Sequence, residues 1–269
     1  MPCCLRSRRT AAYPRAVIRP GGHGNNQAQG DVDSYAAARA RMVETQLRAR
    51  GIRDPRVLAA MGSVPREAFV PAGLEVLAYS DEALPIEHEQ TISQPLMVAL
   101  MTELLAPGPG ERVLEVGTGS GYQAAVLAAM GCRVTSVERL GELATTARAR
   151  LARLGYGDRV EVRVGDGSAA RLGAAARPSS AEARGSATVP GGVADPGSAP
   201  WPRILVAAAA PGVPEALTDQ LADGGRLVIP VGRRYEQELV LVERQGATLR
   251  TTNHGGCVFV PLIGEGGWR

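Results

Sequence analysis

Lysine is absent from this chain of 269 residues, and all 30 basic residues are arginine. With 33 glycines and abundant alanine, this reads as the codon bias of GC-rich coding and carries no mechanistic weight. Aromatic residues amount to only 4%, so a core has to be assembled from Val, Leu, Ile and Ala. That composition suits a sheet buried under helices better than an aromatic-rich all-β domain. No apolar run reaches the roughly 18 residues of a membrane-spanning helix, and no membrane partner is expected. Cys3, Cys4, Cys132 and Cys257 form no C-x-x-C pair, and only His254 lies near one of them. Neither a zinc site nor a disulfide framework is expected, and a reducing cytoplasm is the expected compartment.

The net charge of +3 is modest and unevenly placed. Arg6, Arg8, Arg9, Arg15 and Arg19 precede the first acidic residue, so the remainder of the chain is net acidic and gives no reason to expect a nucleic-acid partner. The first 33 residues read as a disordered basic tail or an over-extended start, with no apolar segment for a secretory signal. The remainder, 34–269, reads as one domain, with a helical part over 34–110 and a cofactor-binding sheet over 111–269. Apolar residues Ala36, Ala40, Val43 and Leu47 recur at helical spacing from Tyr35 to Arg50, and Gly51 is a C-terminal cap. Asp54-Pro55 opens a second helix, and Ser93-Gln94-Pro95 opens a third with Ser93 as a natural N-cap.

From Arg112 the pattern alternates. Strands are expected at Arg112–Val116, Arg133–Val137, Val160–Val164, Ile204–Ala208 and Arg226–Val231. Helices at Tyr122–Met130, Leu143–Leu154 and Pro214–Ala222 lie between them, which is the pattern of a mostly parallel α/β sheet with helices on both faces. Glu238–Glu243 and Cys257–Leu262 look like an antiparallel pair closing it, for seven strands. Gly173–Pro200 has no periodicity and reads as a disordered insert.

The string Val113-Leu114-Glu115-Val116-Gly117-Thr118-Gly119-Ser120-Gly121 is the most informative in the chain. Its third glycine comes one residue earlier than in the dinucleotide pattern G-x-G-x-x-G. The spacing is similar to the S-adenosyl-L-methionine turn of class I methyltransferases, a Rossmann-like fold. Glycines at 117, 119 and 121 let backbone approach a ligand where a Cβ would clash. Glu115 can attract an ammonium or sulfonium group. Glu138 ends the second strand, where a carboxylate accepts ribose hydroxyls, and Asp166 follows the third, where it can accept from an adenine amine.

Gln90-Thr91-Ile92-Ser93-Gln94-Pro95 precedes this turn. Together with Val64-Pro65-Arg66, Phe69-Val70-Pro71, Ser136-Val137-Glu138-Arg139, Gly165-Asp166-Gly167, Ala208-Ala209-Ala210-Pro211, Gly224 to Gly232 and Phe259-Val260-Pro261-Leu262, it resembles the protein-L-isoaspartate O-methyltransferases. The resemblance spans roughly Tyr35 to Leu262. It implies methyl transfer from S-adenosyl-L-methionine to the α-carboxylate of isoaspartyl residues in aged proteins and peptides, and a monomer is expected. It also implies that Ser93 is the active-site serine, and that Gln90, Thr91, Ile92 and Ser93 line the cofactor with Glu138, Asp166 and Gly167. From the residues alone Ser93 is equally a helix cap, and the two roles are compatible.

Glu89 stands where the family often has glycine, Leu96 where Tyr or His is common, and Arg203 where an acid is usual. These departures leave room for a related enzyme that esterifies an aspartate of one dedicated peptide. A base-amino methyltransferase is disfavoured, because Ala207 to Pro211 offers no polar acceptor after the fourth strand. Cytosine C5 methylation is disfavoured because no cysteine sits in a suitable loop. A binding protein that merely keeps the fold would be favoured by loss of Glu138 and Asp166, and both are present.

Overall fold

The computed structural model describes residues 26–169 and 200–269. Most of the expected tail and nearly all of the expected insert lie outside the described residues. Helix α1 runs Asn26–Met42, so the chain is helical nine residues upstream of Tyr35, inside the segment expected to be a tail. Asn26 to Asp33 include only Ala28 and Val32 as apolar residues beyond glycine, so apolar periodicity does not register this extension. The rod does not continue as α-helix to Arg50: it widens into a π turn over Val43–Leu47 and tightens to 3-10 over Arg48–Arg50. Gly51 then ends it at φ 103°, as the cap reading required. In α2, Pro55–Ser63, the Asp54 side chain accepts from the Arg56 N–H at 2.8 Å.

A two-residue antiparallel pair, β1 (Leu84–Pro85) and β2 (Thr91–Ile92), frames the loop before α3, Pro95–Leu105. The main sheet then begins with β3 (Arg112–Val116), α4 (Tyr122–Ala129), β4 (Arg133–Glu138), α5 (Gly141–Arg153) and β5 (Val160–Val164). It continues through β6 (Trp201–Val206), α6 (Glu215–Asp219), β7 (Leu221–Arg233), β8 (Glu236–Gln245) and β9 (Thr248–Cys257). The seven strands lie in the order β5-β4-β3-β6-β7-β8-β9, with β3 to β7 parallel and β8 and β9 antiparallel.

The central strands are apolar on both sides because both sides are covered. On one side Val113, Val134, Leu205 and Val228 join a core built with α2 to α5. On the other, Leu114, Val116, Val137, Ile204 and Ile229 pack with Trp201 and with Leu217 of α6.

Two expectations change at the C-terminal end. The helix expected over Pro214–Ala222 is only Glu215–Asp219, because the backbone at 220–221 is drawn into the sheet: Trp201 N–H donates to Gln220 O at 2.7 Å and Leu221 is paired with Trp201. The last strand is Thr248–Cys257, and the Cys257–Leu262 expectation overlaps it only at Cys257. As an edge strand with exposed side chains almost throughout, β9 carries no apolar alternation to reveal it.

Trp201 is fully buried, and the Arg112 guanidinium lies 5.1 Å from its ring centroid. Trp201→Ala is expected to lower the unfolding free energy by about 3–5 kcal/mol. The measurement is a urea titration in which the midpoint falls while the slope stays near that of the wild type.

Candidate active site

β3 has β4 on one side and β6 on the other, so the strand order reverses around it and a crevice opens at the carboxyl ends. The chain leaves β3 through Gly117 and Gly119, both with positive φ (93° and 52°), and enters α4 at Gly121 (φ 90°). A side chain at Gly117 or Gly119 would strain this backbone, and the turn needs both positions free. The turn forms one wall of a cleft of about 940 Å³, counting its open mouth. The ends of β4, β5 and β6 supply further walls, at Val137 to Leu140, at Gly165 and Gly167, and at Ala207 and Ala208.

Of the residues singled out from the sequence, Gln90, Thr91, Ile92, Ser93, Gly117, Gly119, Glu138 and Gly167 come together on this cleft. Glu138 is nearly buried, and both its oxygens accept from backbone, Oε2 from Gly119 N–H and Oε1 from Leu140 N–H, each at 3.0 Å. The carboxylate is therefore held between the glycine turn and the start of α5, with lone pairs to spare. A Cβ on Gly167 would lie 2.6 Å from Val116 Cγ1, so the cleft floor requires glycine there.

Glu115, Gly121 and Asp166 are placed otherwise. Gly121 packs the turn onto α5, where an added Cβ would meet Leu151 at 3.3 Å. Glu115 lies beneath the turn with no exposed surface and shares a hydrogen bond with Ser136. It does not reach the cleft wall as a charged partner for an ammonium group. Burial pushes its carboxyl up to about 8, repulsion from Glu138 adds to this, and the Ser136 hydrogen bond opposes it.

Asp166 turns away from the wall. Its Oδ1 accepts from Ser168 N–H (2.9 Å) and Oγ–H (2.6 Å), and its Oδ2 from Glu265 N–H (2.8 Å). Burial on its own would raise the Asp166 pKa, but these donors and the Arg139 charge hold it below the usual carboxylate range. Asp166 thereby ties the chain terminus to the end of β5.

Ser93 is not the cap of α3. The N-cap is Gln94, with no side-chain cap bond, and among the described residues the Ser93 hydroxyl has no hydrogen-bond partner. The capping alternative thus falls away because the helix starts one residue later, and the hydroxyl is left on the cleft wall.

Sequence reasoning missed two walls. One is Tyr122, buried on α4, whose phenol is pushed up to about 12 by burial. Its ring is held from behind by the Arg66 guanidinium at 4.8 Å and by Phe69 edge-on at 5.5 Å. The segment Val64 to Pro71 therefore acts on the site through Tyr122. The other wall is Val260 to Ile263, just at and beyond the end of the expected strand Cys257–Leu262. It lies against the sheet through the Ala209–Pro261 bridge and is anchored by Trp268 Nε1–H donating to Ala209 O at 3.2 Å. The glycine-to-Glu89 departure also has a backbone meaning. His88 and Glu89 both have φ 58°, a conformation that costs a non-glycine residue about 1 kcal/mol. Among the described residues no group of His, Cys, Asp and Glu could hold a metal ion, and no helix is long and apolar enough to cross a membrane.

The model of the protein-L-isoaspartate(D-aspartate) O-methyltransferase family matches residues 38–177 and 190–267. A protein-L-isoaspartate O-methyltransferase of Methanoregula boonei is 50% identical over 230 residues, covering 86% of this chain and 94% of that one. A solved protein-L-isoaspartate O-methyltransferase superposes with a TM-score of 0.68 at 27% identity, over 85% of this chain and 67% of the other. A beta-aspartate methyltransferase of Plasmodium falciparum, solved in complex with S-adenosyl-L-homocysteine, shares the fold with a TM-score of 0.65 at 24% identity, over 84% and 98% of the two chains. The sheet is thus the Rossmann-like sheet of class I methyltransferases. The matched residues carry both the glycine turn and the walls on either side of it, and the chain belongs to the protein-L-isoaspartate(D-aspartate) O-methyltransferase family.

Proposed function

We propose that this protein binds S-adenosyl-L-methionine in the cleft and methylates the α-carboxylate of isoaspartyl residues in proteins and peptides. The observation that carries the reading is the free Ser93 hydroxyl on the same cleft as the glycine turn and the backbone-held Glu138 carboxylate. The residues present fit the cofactor. Gly117 and Gly119 offer bare backbone, Glu138 offers lone pairs to the ribose hydroxyls, and Gly167 leaves the floor open. Asp166 serves indirectly, holding Gly167 and the C-terminal wall in place rather than touching the adenine. Gly121 likewise shapes the turn by packing on α5.

When bound, S-adenosyl-L-methionine supplies a methyl group on a positively charged sulfur, already an activated leaving group. The acceptor carboxylate, with an ordinary pKa of about 4, is ionised at neutral pH, so the protein needs neither a general base nor a nucleophile. What remains for the chain is placement and exclusion of water. Ser93 donates to one oxygen of the acceptor carboxylate and orients the other. Ile92, Val98, Val260 and Leu262 supply the apolar walls that keep water out. Glu89, exposed and next in the chain to Gln90 of the cleft wall, adds a carboxylate that disfavours strongly acidic flanking residues on a substrate.

Two measurements test the reading. Methyl transfer is expected to a peptide with an isoaspartyl linkage and not to the same peptide with an ordinary aspartyl linkage. Equal labelling of the pair, or none of the isoaspartyl member, rejects it. Ser93→Ala is expected to lower kcat by about tenfold to a hundredfold, the loss of one hydrogen bond to a charged group. Calorimetric affinity for S-adenosyl-L-homocysteine should stay within about twofold, and equal losses in both quantities would return Ser93 to a purely structural role.

A further inference from the structure

The chemistry above makes no use of the carboxyl buried beneath the glycine turn. Glu115 lies in mid-sheet with no exposed surface, and its Oε1 has no hydrogen-bond partner among the described residues. Its register neighbour on β4 is Ser136, whose hydroxyl is bonded to Glu115 Oε2. Ser136 Oγ is bonded in turn to Thr118 Oγ1 at 2.6 Å, and Thr118 belongs to both the glycine turn and the cleft wall. Three side chains thus form one line of hydrogen bonds from a buried acid to the cleft.

Such a line runs in either of two directions. An ionised Glu115 only accepts, so Ser136 donates to it, Thr118 donates to Ser136, and the Thr118 proton points into the protein. A neutral Glu115 carries its proton on Oε2, because Oε1 has no acceptor, and so donates to Ser136; Ser136 then donates to Thr118, and the Thr118 proton is released for an acceptor in the cleft. The surroundings choose between them. The charged group that bears on Glu115 is Glu138 on β4, of like sign. On the other flank its register partner is Leu205 of β6, and α4 opens with Tyr122 and Gln123, both uncharged at neutral pH. Among the described residues no cation compensates a buried carboxylate here, and an unpartnered Oε1 costs more when it carries part of a negative charge than when it is the carbonyl oxygen of a neutral acid.

We infer that Glu115 is a positioning residue that works as a neutral acid, setting through Ser136 the direction in which the Thr118 hydroxyl faces the cofactor. This deepens the reading of the cleft as an S-adenosyl-L-methionine site and rests on it. The group served is an acceptor on the ligand, such as its carboxylate. The acid of the glycine-turn motif therefore contributes hydrogen-bond polarity and not negative charge.

The test is calorimetric titration of the full chain with S-adenosyl-L-homocysteine from about pH 6.5 to about pH 9.5, bracketing the raised value of about 8. Wild-type affinity is expected to weaken by about tenfold over this range, as one hydrogen bond to a charged group is lost. Glu115→Gln, whose amide can donate at every pH, and Thr118→Val, which has no hydroxyl to turn, are both expected to lack that fall. The ligand's own ammonium titrates in the same range, so the difference between wild type and variants is the readout. Parallel profiles for all three proteins overturn the inference, whereas no binding by wild type at any pH overturns the cofactor reading instead.

A second readout needs no ligand and no variant. The infrared spectrum of the wild type at about pH 7 is expected to contain a protonated-carboxyl stretch that disappears on raising the pH through about 8, and its absence overturns the inference. Stability follows with the same sign. Because folding raises this pKa from 4.5 to about 8, the Glu115 contribution is full below 4.5 and is lost as pH rises through 8. Relative to wild type, Glu115→Gln should therefore be more stable at about pH 9 than at about pH 5, read from thermal midpoints, and a constant difference overturns the inference.

Discussion

The exit of the chain from β3 constrains the rest of the site. β3 is the strand around which the order reverses, so its carboxyl end faces an open crevice rather than a neighbouring connection. To turn there and start a helix at once, the backbone adopts positive φ at three glycines in five residues. The Gly119 N–H then points at Glu138 on β4, and Thr118 points back at Ser136. Position, polarity and open space on that side of the cleft all descend from this one turn.

Segments on both sides of the turn in the chain are recruited to support it. From the N-terminal side, Arg66 enters the core with no exposed surface, donates to Ala78 O at 2.7 Å and presses on the Tyr122 ring. From the C-terminal side, Glu265 and Gly266 donate to Asp166 and Ser168 at the end of β5, and Trp268 donates to Ala209 beyond β6. Segments far apart in sequence thus brace opposite walls of one cleft. The family pattern is accordingly long and spread through the chain, although the residues facing the cleft are few.

Much of the fold was legible because the signals that specify it are local. The apolar runs at Arg112–Val116, Arg133–Glu138 and Val160–Val164, the Asp54-Pro55 start and the Gly51 stop each act within a few residues of themselves. What was not legible depended on distant partners. β9 exists because β8 offers it a ladder, and its exposed side chains hold no pattern. The helix after Pro214 is cut short because β6 claims its last residues. α1 starts upstream of its apolar stripe, and the rod is wound as π and 3-10 where an even α-helix was expected.

The site divides along the same line. The sequence by itself determined that a glycine turn follows a buried strand, that acids stand at or beyond the ends of the next two strands, and that Gln90 to Ser93 accompany them. Residue type and spacing suffice for that, because backbone freedom and charge are properties of single residues. Only the tertiary structure decided which groups face the cleft. Three acids alike on paper became a carboxylate held on the wall at Glu138, an anchor for the chain terminus at Asp166, and a buried acid at Glu115. The direction of a side chain and the protonation of a carboxyl depend on what surrounds them, and those surroundings come from every part of the folded chain.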